Sequence, residues 1–513
     1  NFYHTESADK LNAITTGETG NLKNTSDRFT QSKNDKYSLN GNIIFKHKFN
    51  KLRRTVSLTA DWSLLNTEGT NFMKSSNTIY DSLGNSYFIG ADQMADYDKS
   101  TQKLTSKIVY TEPLSKKFSL ETGYEISYNK GSNDLVNYNF SNLSGKYDQR
   151  IDSISNDFDQ SILINKPSLK ISYSDKKIKY NFGSGFGFTS FDLIDRTYDK
   201  SYKRNYTNFF PSASFNYTYK SNHNLRVNYN GNTTQPTINQ LQPLRNSTDE
   251  FNQYIGNPDL KPSFSNNINL SHNSYDFIKD RWMYQSVNLN VISNSITNNR
   301  IIDVNTGKTI SQPINTNGNV SLNLWTGIGL RAKKINTRFN FGPNLRYSKF
   351  ADVINNKVSY SKTTTAGTNF SISKSKDKRY DISIWDDFSY SNNKNSQSTE
   401  RNHFFINTST LDATIYIDSV WSISSDYRYY FRQKTSALDD NLDNQLWNAK
   451  LQRTFRKNEF TVYVMVRDIL NQNIGIDRSF YGNSYKEERN ERLKRYFMVG
   501  FKWDFKNKNS QPK

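Results

Sequence analysis

A period-two alternation of apolar and polar side chains, repeated in hairpin after hairpin, limits the fold of this chain more than any other feature. Residues 37–64 hold two such runs around a turn at 50–53. Because successive side chains of a β-strand point to opposite faces, the pattern predicts two antiparallel strands that share one apolar face. Each run is about 12 residues long, beyond the 5–6 usual in globular proteins and near the 9–11 of a tilted strand that crosses a bilayer. The apolar positions are Tyr37, Leu39, Ile43, Phe45, Phe49, Val56, Leu58, Ala60, Trp62 and Leu64.

The same unit returns along the chain, with short polar turns between some runs and long connections between others. Short turns at one end of a sheet and long loops at the other are typical of outer-membrane barrels, in which the short turns are periplasmic. A repetitive surface adhesin is the structural alternative that this pattern leaves open. The short turns lie at 115–117, 175–177, 221–223, 279–281, 333–334, 376–378, 417–419 and 456–458, and the long connections at 66–97, 131–159, 234–262 and 471–489.

The number of hairpins predicts the size of the sheet. About nine short-turn hairpins and a last strand at 493–505 amount to about 19 strands, against 22 in plugged outer-membrane transporters. The predicted fold is therefore all-β, a large antiparallel transmembrane β-barrel with the plug domain and first strands absent from this chain. Residues 1–36 are expected to be an outer loop or strand remnant, 37–505 the barrel with its long outer loops, and 506–513 a polar C-terminal tail.

Composition agrees with this fold. Only 34% of the 513 residues are apolar, and no run approaches the ~20 apolar residues of a membrane-spanning helix. A membrane barrel tolerates such polarity because only every second residue of a strand faces lipid. Aromatic residues make up 14% of the chain, which argues against disorder and fits either aromatic girdles or ordinary β-structure.

Charge and cysteine content exclude several classes of protein. The net charge is +20, but Lys and Arg are spread over nearly every strand and turn, so no nucleic-acid partner is predicted. The surplus suits a basic lumen that attracts anionic solutes, or a surface that further parts of the protein neutralise. The chain has no cysteine, which removes disulfides, thiolate nucleophiles and cysteine-based zinc sites.

A short segment at residues 256–262 separates two alternating runs. It reads Gly-Asn-Pro-Asp-Leu-Lys-Pro, and it follows Phe210-Pro211-Ser212 and a segment at 235–241, Gln-Pro-Thr-Ile-Asn-Gln-Leu. By itself the segment predicts a turn, since Pro restricts φ and Asp bonds to its own backbone. The ordered set, over residues 203–275, resembles TonB-dependent outer-membrane receptors of the Bacteroidetes type. The resemblance implies a structural role, the return of a long outer loop to a barrel strand, for Gly256, Asn257, Pro258, Leu260, Lys261 and Pro262.

The C-terminus resembles the closing strand that the outer-membrane barrel assembly machinery recognises. Its pattern is Gly500, Trp503 and Phe505, with the two aromatic residues on one face. Two departures stand out: Met498 occupies a position that is commonly polar, and the chain continues to Lys513 where many relatives stop at the aromatic residue.

Catalytic and cofactor chemistry is not indicated. None of the five histidines has a metal-ligand neighbour at helix or strand spacing. The alternating Gly183, Gly185 and Gly187 lie within a strand and not at the strand-to-helix junction of a phosphate loop. They predict a smooth surface that another backbone or a plug approaches. No enzyme activity, catalytic residue, metal or cofactor is therefore predicted.

The resemblance implies a TonB-dependent transporter in the bacterial outer membrane for a scarce nutrient, of the siderophore or oligosaccharide class. The implied partners are outer-membrane lipids, the barrel assembly machinery, a TonB–ExbB–ExbD complex acting through an absent plug, and a surface lipoprotein. Loop residues Arg245, Phe251 and Tyr254 are weak candidates for substrate contact, and simple loop packing is the alternative for them. Two other functions stay open: a non-transporting barrel that scaffolds a surface lipoprotein or secretion complex, and a secreted adhesin-like β-protein.

Overall fold

The computed structural model describes most of the chain, and the statements below concern the residues that it describes. No helix among them is long and apolar enough to cross a membrane. The described residues are 1–16, 21–80, 85–241, 245–246, 252–303, 305–306, 308–397, 401–436, 438, 440–456, 459–481 and 484–504.

β-Strands make up nearly all of the described structure. Twenty-five strands belong to one sheet, and β25 and β26 form a separate hairpin. The helical elements are α1 (Ile238–Leu241) and two single 3₁₀ turns, Asp152–Ile154 and Lys333–Ile335. The strands are β1 (Phe2–Thr16), β2 (Leu22–Lys48), β3 (Thr55–Tyr80), β4 (Ser86–Pro113), β5 (Phe118–Ser141), β6 (Lys146–Arg150), β7 (Asn156–Ser174), β8 (Ile178–Asp195), β9 (Lys200–Lys220), β10 (His223–Thr234), β11 (Arg245–Asn246), β12 (Asn252–Ile255), β13 (Ser263–Asp276), β14 (Arg281–Ser293), β15 (Ser295–Ile302), β16 (Thr309–Thr316), β17 (Asn319–Ala332), β18 (Thr337–Ile354), β19 (Lys357–Lys376), β20 (Tyr380–Asn395), β21 (Arg401–Tyr416), β22 (Trp421–Arg432), β23 (Leu442–Phe455), β24 (Phe460–Arg467), β25 (Gly475–Tyr481), β26 (Ser484–Asn490) and β27 (Tyr496–Trp503).

Twenty of these strands form an antiparallel meander, and the other strands belong to its connections. The expected all-β antiparallel architecture is confirmed, with one strand more than the nineteen counted from the sequence. The additional strand is β1, which pairs with residues 22–37 of β2, so residues 1–36 hold a hairpin. Among the described residues, no pairing joins β27 to β1 or β2. The order is β1-β2-β3-β4-β5-β7-β8-β9-β10-β13-β14-β17-β18-β19-β20-β21-β22-β23-β24-β27.

Strands near the start of the chain are longer than the alternation predicts. Residues 66–97 were expected to be a long connection, but β3 continues to Tyr80 and β4 begins at Ser86, with an unbroken register between them. The prediction failed here because alternation marks a strand only where one face is apolar. Backbone hydrogen bonds continue the pairing where both faces are polar, and they leave no mark in the sequence.

One face of the meander exposes apolar side chains. The register places Ile171 of β7 beside Phe182 of β8, and Phe182 beside Ala213 of β9. Phe182 is 68% exposed. The apolar residues of β22 lie on the same surface, since Ile423 pairs with Ile415 and Leu451 and all three are exposed. We call this surface the apolar face. It is the shared apolar face that the alternation predicted.

The opposite surface, called here the polar face, carries small and charged side chains. Gly183, Gly185 and Gly187 are buried on it, as their phase relative to Phe182 requires. A Cβ atom added at Gly183 would lie 2.9 Å from Cβ of Lys170, so the neighbouring strand is what approaches this glycine. Lys170 Nζ lies 2.7 Å from Glu121 Oε1. Such an ion-paired wall suits contact with water or with polar protein surface.

A charged cluster closes one of the short turns. Arg54 Nε and Nη2 donate to Glu112 at 2.8 and 2.9 Å, and Lys51 also donates to this carboxylate. These hydrogen bonds, first those of Arg54 and then that of Lys51, hold the pKa of Glu112 well below its usual value. These bonds connect the turn at 49–54 to the end of β4, at the margin of the apolar face.

Glu112→Gln is therefore expected to lower thermal stability at neutral pH, and to lower it less as the pH falls below the unfolded pKa. A carboxylate whose pKa is lower in the folded protein stabilises the fold above its unfolded pKa, and this contribution is lost as pH falls below that value. The difference between the melting temperatures of wild type and variant, measured from pH 7 down to pH 3, should be constant near neutrality and narrow below about pH 4.5, because the folded pKa lies lower still. Glu68→Gln, at an exposed carboxylate without an ion pair among the described residues, should show no such convergence. A constant difference at all pH values would contradict the ionic origin.

Candidate functional site at the long-loop end

The connections at the long-loop end fold onto the polar face. Leu241 of α1 and Leu260, which is fully buried, pack against Phe158 of β7 and Phe191 and Leu193 of β8. Phe191 and Leu193 continue the phase of the buried glycines of β8, so this small core lies on the polar face. The described parts of the loop at 235–262 that hold Leu241 and Leu260 therefore lie over the end of the polar face.

The segment at 256–262 holds this loop in place through its backbone and through Asn257. Asn257 N donates to Gln240 O at 2.6 Å, and Asn257 Nδ2 donates to Pro313 O at 3.0 Å. Asn257 Oδ1 accepts a 2.9 Å hydrogen bond from Asp259 N, which is the local turn that the sequence predicts. One asparagine thus joins α1, the turn and β16.

Asn315 of β16 completes the attachment. Its Oδ1 accepts from Lys261 N at 2.8 Å, and its Nδ2 donates to Lys261 O at 2.8 Å and to Asn294 O at 2.9 Å. Beside it, β12 pairs in parallel with β16, and β15 pairs in parallel with β18. The loops at 235–262 and 294–318 are therefore one connected layer, and sequence reasoning missed the role of Asn315 because nothing local distinguishes it from other asparagines.

Asn315→Ala is expected to detach this layer in part. Removal of the side chain takes two hydrogen bonds from the exposed backbone groups of Lys261, a net loss of about 0.5–1.5 kcal/mol for each. The expected result is faster proteolysis within 235–262 and a lower melting temperature. Asn142→Ala, at an exposed turn residue, should change neither. Equal proteolysis of the two variants would show that Asn315 does not hold the loop.

The weak substrate candidates lie in or near this layer. Arg245 pairs with Ile255, and Tyr254 pairs with Asn246 and with Ser311 of β16. Tyr254 is half-buried, and burial raises its pKa. Phe251 lies outside the described residues. Arg245 and Tyr254 are thus close to each other in one small sheet, and substrate contact by either stays a prediction.

A second layer covers the long-loop end near β22. The hairpin of β25 and β26 is closed by Arg478, whose Nε lies 2.8 Å from Glu487 Oε2 and whose Nη1 donates to Asp440 O. Arg432, the last residue of β22, donates through Nη1 to the backbone carbonyl oxygen of Arg478. Its guanidinium group lies 4.3 Å from the ring centroid of Phe404. Sequence reasoning passed over Arg432, since an arginine in the polar phase of a strand is unremarkable.

The last strand places Trp503 and Gly500 on opposite faces of the sheet. Trp503 is exposed on the apolar face, and its ring centroid is 5.4 Å from that of Phe460 at the short-turn end. Gly500 lies on the polar face, where a Cβ atom would fall 2.1 Å from the ring of Tyr463. Phe505 and the tail at 506–513 lie outside the described residues. Recognition by the assembly machinery stays a prediction.

No group of three or more His, Asp or Glu side chains in the described part of the chain is arranged to hold a metal ion. The geometry at the long-loop end is instead that of two loop layers above a polar wall.

The model of the outer membrane protein beta-barrel family matches residues 47–503, most of the meander. The chain belongs to this family. It is therefore a protein of the bacterial outer membrane. The apolar face is the lipid-facing surface of the barrel, the polar face lines its lumen, the short turns are periplasmic and the loop layers lie outside.

Solved barrels are similar to this one at low identity. The ferric citrate transporter FecA in its unliganded form has a TM-score of 0.44 at 10% identity, over 97% of this chain and 75% of that chain. The copper transporter OprC has a TM-score of 0.43 at 10% identity, over 98% and 76%. The siderophore receptor PirA from Pseudomonas aeruginosa has a TM-score of 0.41 at 12% identity, over 97% and 76%. Such scores support no statement about the ligand of this barrel. No curated protein matches its sequence at a significant level.

Proposed function

We propose that the barrel is the wall and outer vestibule of a TonB-dependent outer-membrane transporter that imports a scarce nutrient, of the siderophore or oligosaccharide class. The observation that carries the proposal is the loop layer at the mouth. Leu260 and Asn315 fasten it over the luminal face, so the described loops cover part of the outer end of the lumen.

Further support comes from the lumen wall and from the sequence. Below the layer, Glu121, Glu125 and Lys170 face a cavity of about 220 Å³ that also borders Gly183 and Gly185. A charged wall with small residues suits contact with a plug domain of the same protein. The ordered segments at 210–212, 235–241 and 256–262 resemble those of TonB-dependent receptors of the Bacteroidetes type.

The proposed partners follow from this function. A TonB–ExbB–ExbD complex would act on a plug within the lumen, and a surface lipoprotein would cover the loop layers. The intact mass and the N-terminal sequence of the polypeptide extracted from membranes test the plug directly. Residues ahead of Asn1 that read as a plug with a TonB-contact motif support transport, whereas a polypeptide that begins at Asn1 contradicts it. A secreted adhesin is not proposed further, because the family is one of outer-membrane barrels.

Uptake in the source bacterium tests the function itself. We expect a deletion strain to lose import of one labelled ferric siderophore or oligosaccharide from a panel, and wild-type cells treated with a proton uncoupler to lose the same import. Complementation with the wild-type gene should restore it. Unchanged uptake of the whole panel, together with loss of a surface lipoprotein or of a secreted protein from the deletion strain, would overturn the proposal in favour of a scaffold.

A further inference from the structure

A buried arginine without a counter-ion lies at the mouth of the barrel. Arg432 is 5% exposed, and it forms no ion pair among the described residues. Its hydrogen bond from Nη1 goes to an uncharged acceptor, the backbone carbonyl oxygen of Arg478, and its Nε has no partner. A buried charge is costly unless it is paired, and the neighbouring Arg478, already paired with Glu487, adds like charge.

Two further side chains, one on the neighbouring strand and one shortly after Arg432 in the chain, have buried polar atoms without a partner. Asn402 is 3% exposed, and neither its Nδ2 nor its Oδ1 has a partner. It lies on β21 two residues before Phe404, on the same face as Arg432, because Ile406 pairs with Arg432. Thr435 Oγ1, three residues after Arg432, is also buried without a partner. The unpaired atoms include a guanidinium Nε, an amide Nδ2 and a hydroxyl Oγ1, which are donors of the kinds that bind an oxyanion.

The position of this cluster limits what reaches it. On β21, Phe405 and Leu411 are exposed to lipid, so Phe404 and Arg432 face the lumen. The hairpin of β25 and β26 lies above, held by the bond from Arg432 to Arg478. A lipid phosphate approaches from the other face of the sheet, whereas a solute in the vestibule approaches from the face on which Arg432 lies.

We propose that Arg432, Asn402 and Thr435 form a binding site for the carboxylate or phosphate group of a soluble anion in the outer vestibule. The guanidinium stacks on Phe404 and offers Nε and one Nη edge to the anion, and the amide and hydroxyl groups complete the shell. The identification of this anion as a group of the imported nutrient rests on the proposed function. Binding itself does not depend on transport.

Calorimetry on the detergent-purified protein, with citrate and inorganic phosphate as probes, tests the site. We expect at least one probe to bind wild type, and Arg432→Gln to weaken this binding about tenfold or more because a charge-assisted hydrogen bond is lost. Arg432→Lys, which keeps the charge but not the fork, should fall between them. Arg428→Gln is the matched control: it removes the same group from the same strand and face, where the side chain is exposed, and should leave affinity within about twofold.

A second variant tests the anion site if Arg432→Gln does not fold. Asn402→Asp puts a carboxylate in the same cluster, so it should abolish probe binding and raise the melting temperature. Failure of wild type to bind either probe, or equal affinity in wild type and Asn402→Asp, would overturn the site and leave it as a pocket for water. A protein that binds the probe but imports nothing would support the site and contradict transport.

Discussion

Leu260→Ala is expected to release the loop layer from the mouth while the barrel stays intact. Leu260 is fully buried among Phe158, Phe191, Leu193 and Leu241, and truncation of a buried leucine costs about 2–5 kcal/mol through lost transfer free energy and an unfilled cavity. In the described residues the layer is otherwise held by hydrogen bonds such as those of Asn257 and Asn315, so this loss is large relative to the stability of the layer. The sheet is paired strand to strand elsewhere and does not depend on this core.

Limited proteolysis of intact cells measures the release. Cleavage within 235–262 should become much faster in Leu260→Ala, with unchanged amounts of barrel in the outer membrane. Leu143→Ala is the control, since Leu143 lies in a loop turn and is 98% exposed. If the proposed function is right, import falls in the first variant only. Slow cleavage in both would mean that Leu260 does not anchor the loop.

Ile384→Arg and Trp385→Arg are expected to differ sharply although the two residues are adjacent. Ile384 is 43% and Trp385 41% exposed, but they lie on opposite faces of β20. Ile384 pairs with Ile372 and Leu411 in the lipid-facing belt, whereas Trp385 pairs with Ser371 and Thr410. Arginine on the lipid face of a barrel costs about 2–4 kcal/mol near the bilayer centre, and luminal substitutions are tolerated.

Assembly into the outer membrane measures this difference. The fraction of barrel that keeps its folded, fast-migrating form in unheated gels should fall strongly for Ile384→Arg and little for Trp385→Arg. Urea unfolding in vesicles should show the same order. The reverse order would mean that the two faces have been exchanged, and with them the luminal position of Arg432.

The two pairs of variants separate two parts of the molecule. Ile384 and Trp385 report on the sheet, whose stability comes from backbone pairing and from lipid on one side. Leu260 and Asn315 report on the loop layer, whose stability comes from a small core and a few hydrogen bonds. Substitutions at Leu260 and Asn315 are expected to reduce import, because they displace the loop layer while the barrel stays folded.

The sequence alone determined the meander and its two faces. Phe182 and Gly183 are neighbours with opposite environments because side chains alternate along a strand, and that alternation is visible wherever one face meets lipid. Polar turns such as 175–177 marked the short-turn end, since a tight reversal needs few residue types. The C-terminal pattern likewise placed Trp503 on the apolar face. These properties depend on residues that are close together in the sequence, so the sequence alone is enough to predict them.

Only the tertiary structure decided how the mouth is built. In the outer half of β3 both faces are polar, so the sequence shows no alternation of apolar and polar residues there. The pairing of this half with β4 nevertheless continues. Leu260 meets Phe158 and Leu193 from distant parts of the chain, and Asn315 meets Lys261 across two loops. Arg432 is unusual only because a hairpin almost fifty residues later covers it. Such contacts form between loops and strands that are distant in the sequence. The periodicity of the strands carries no information about where a loop packs on the sheet.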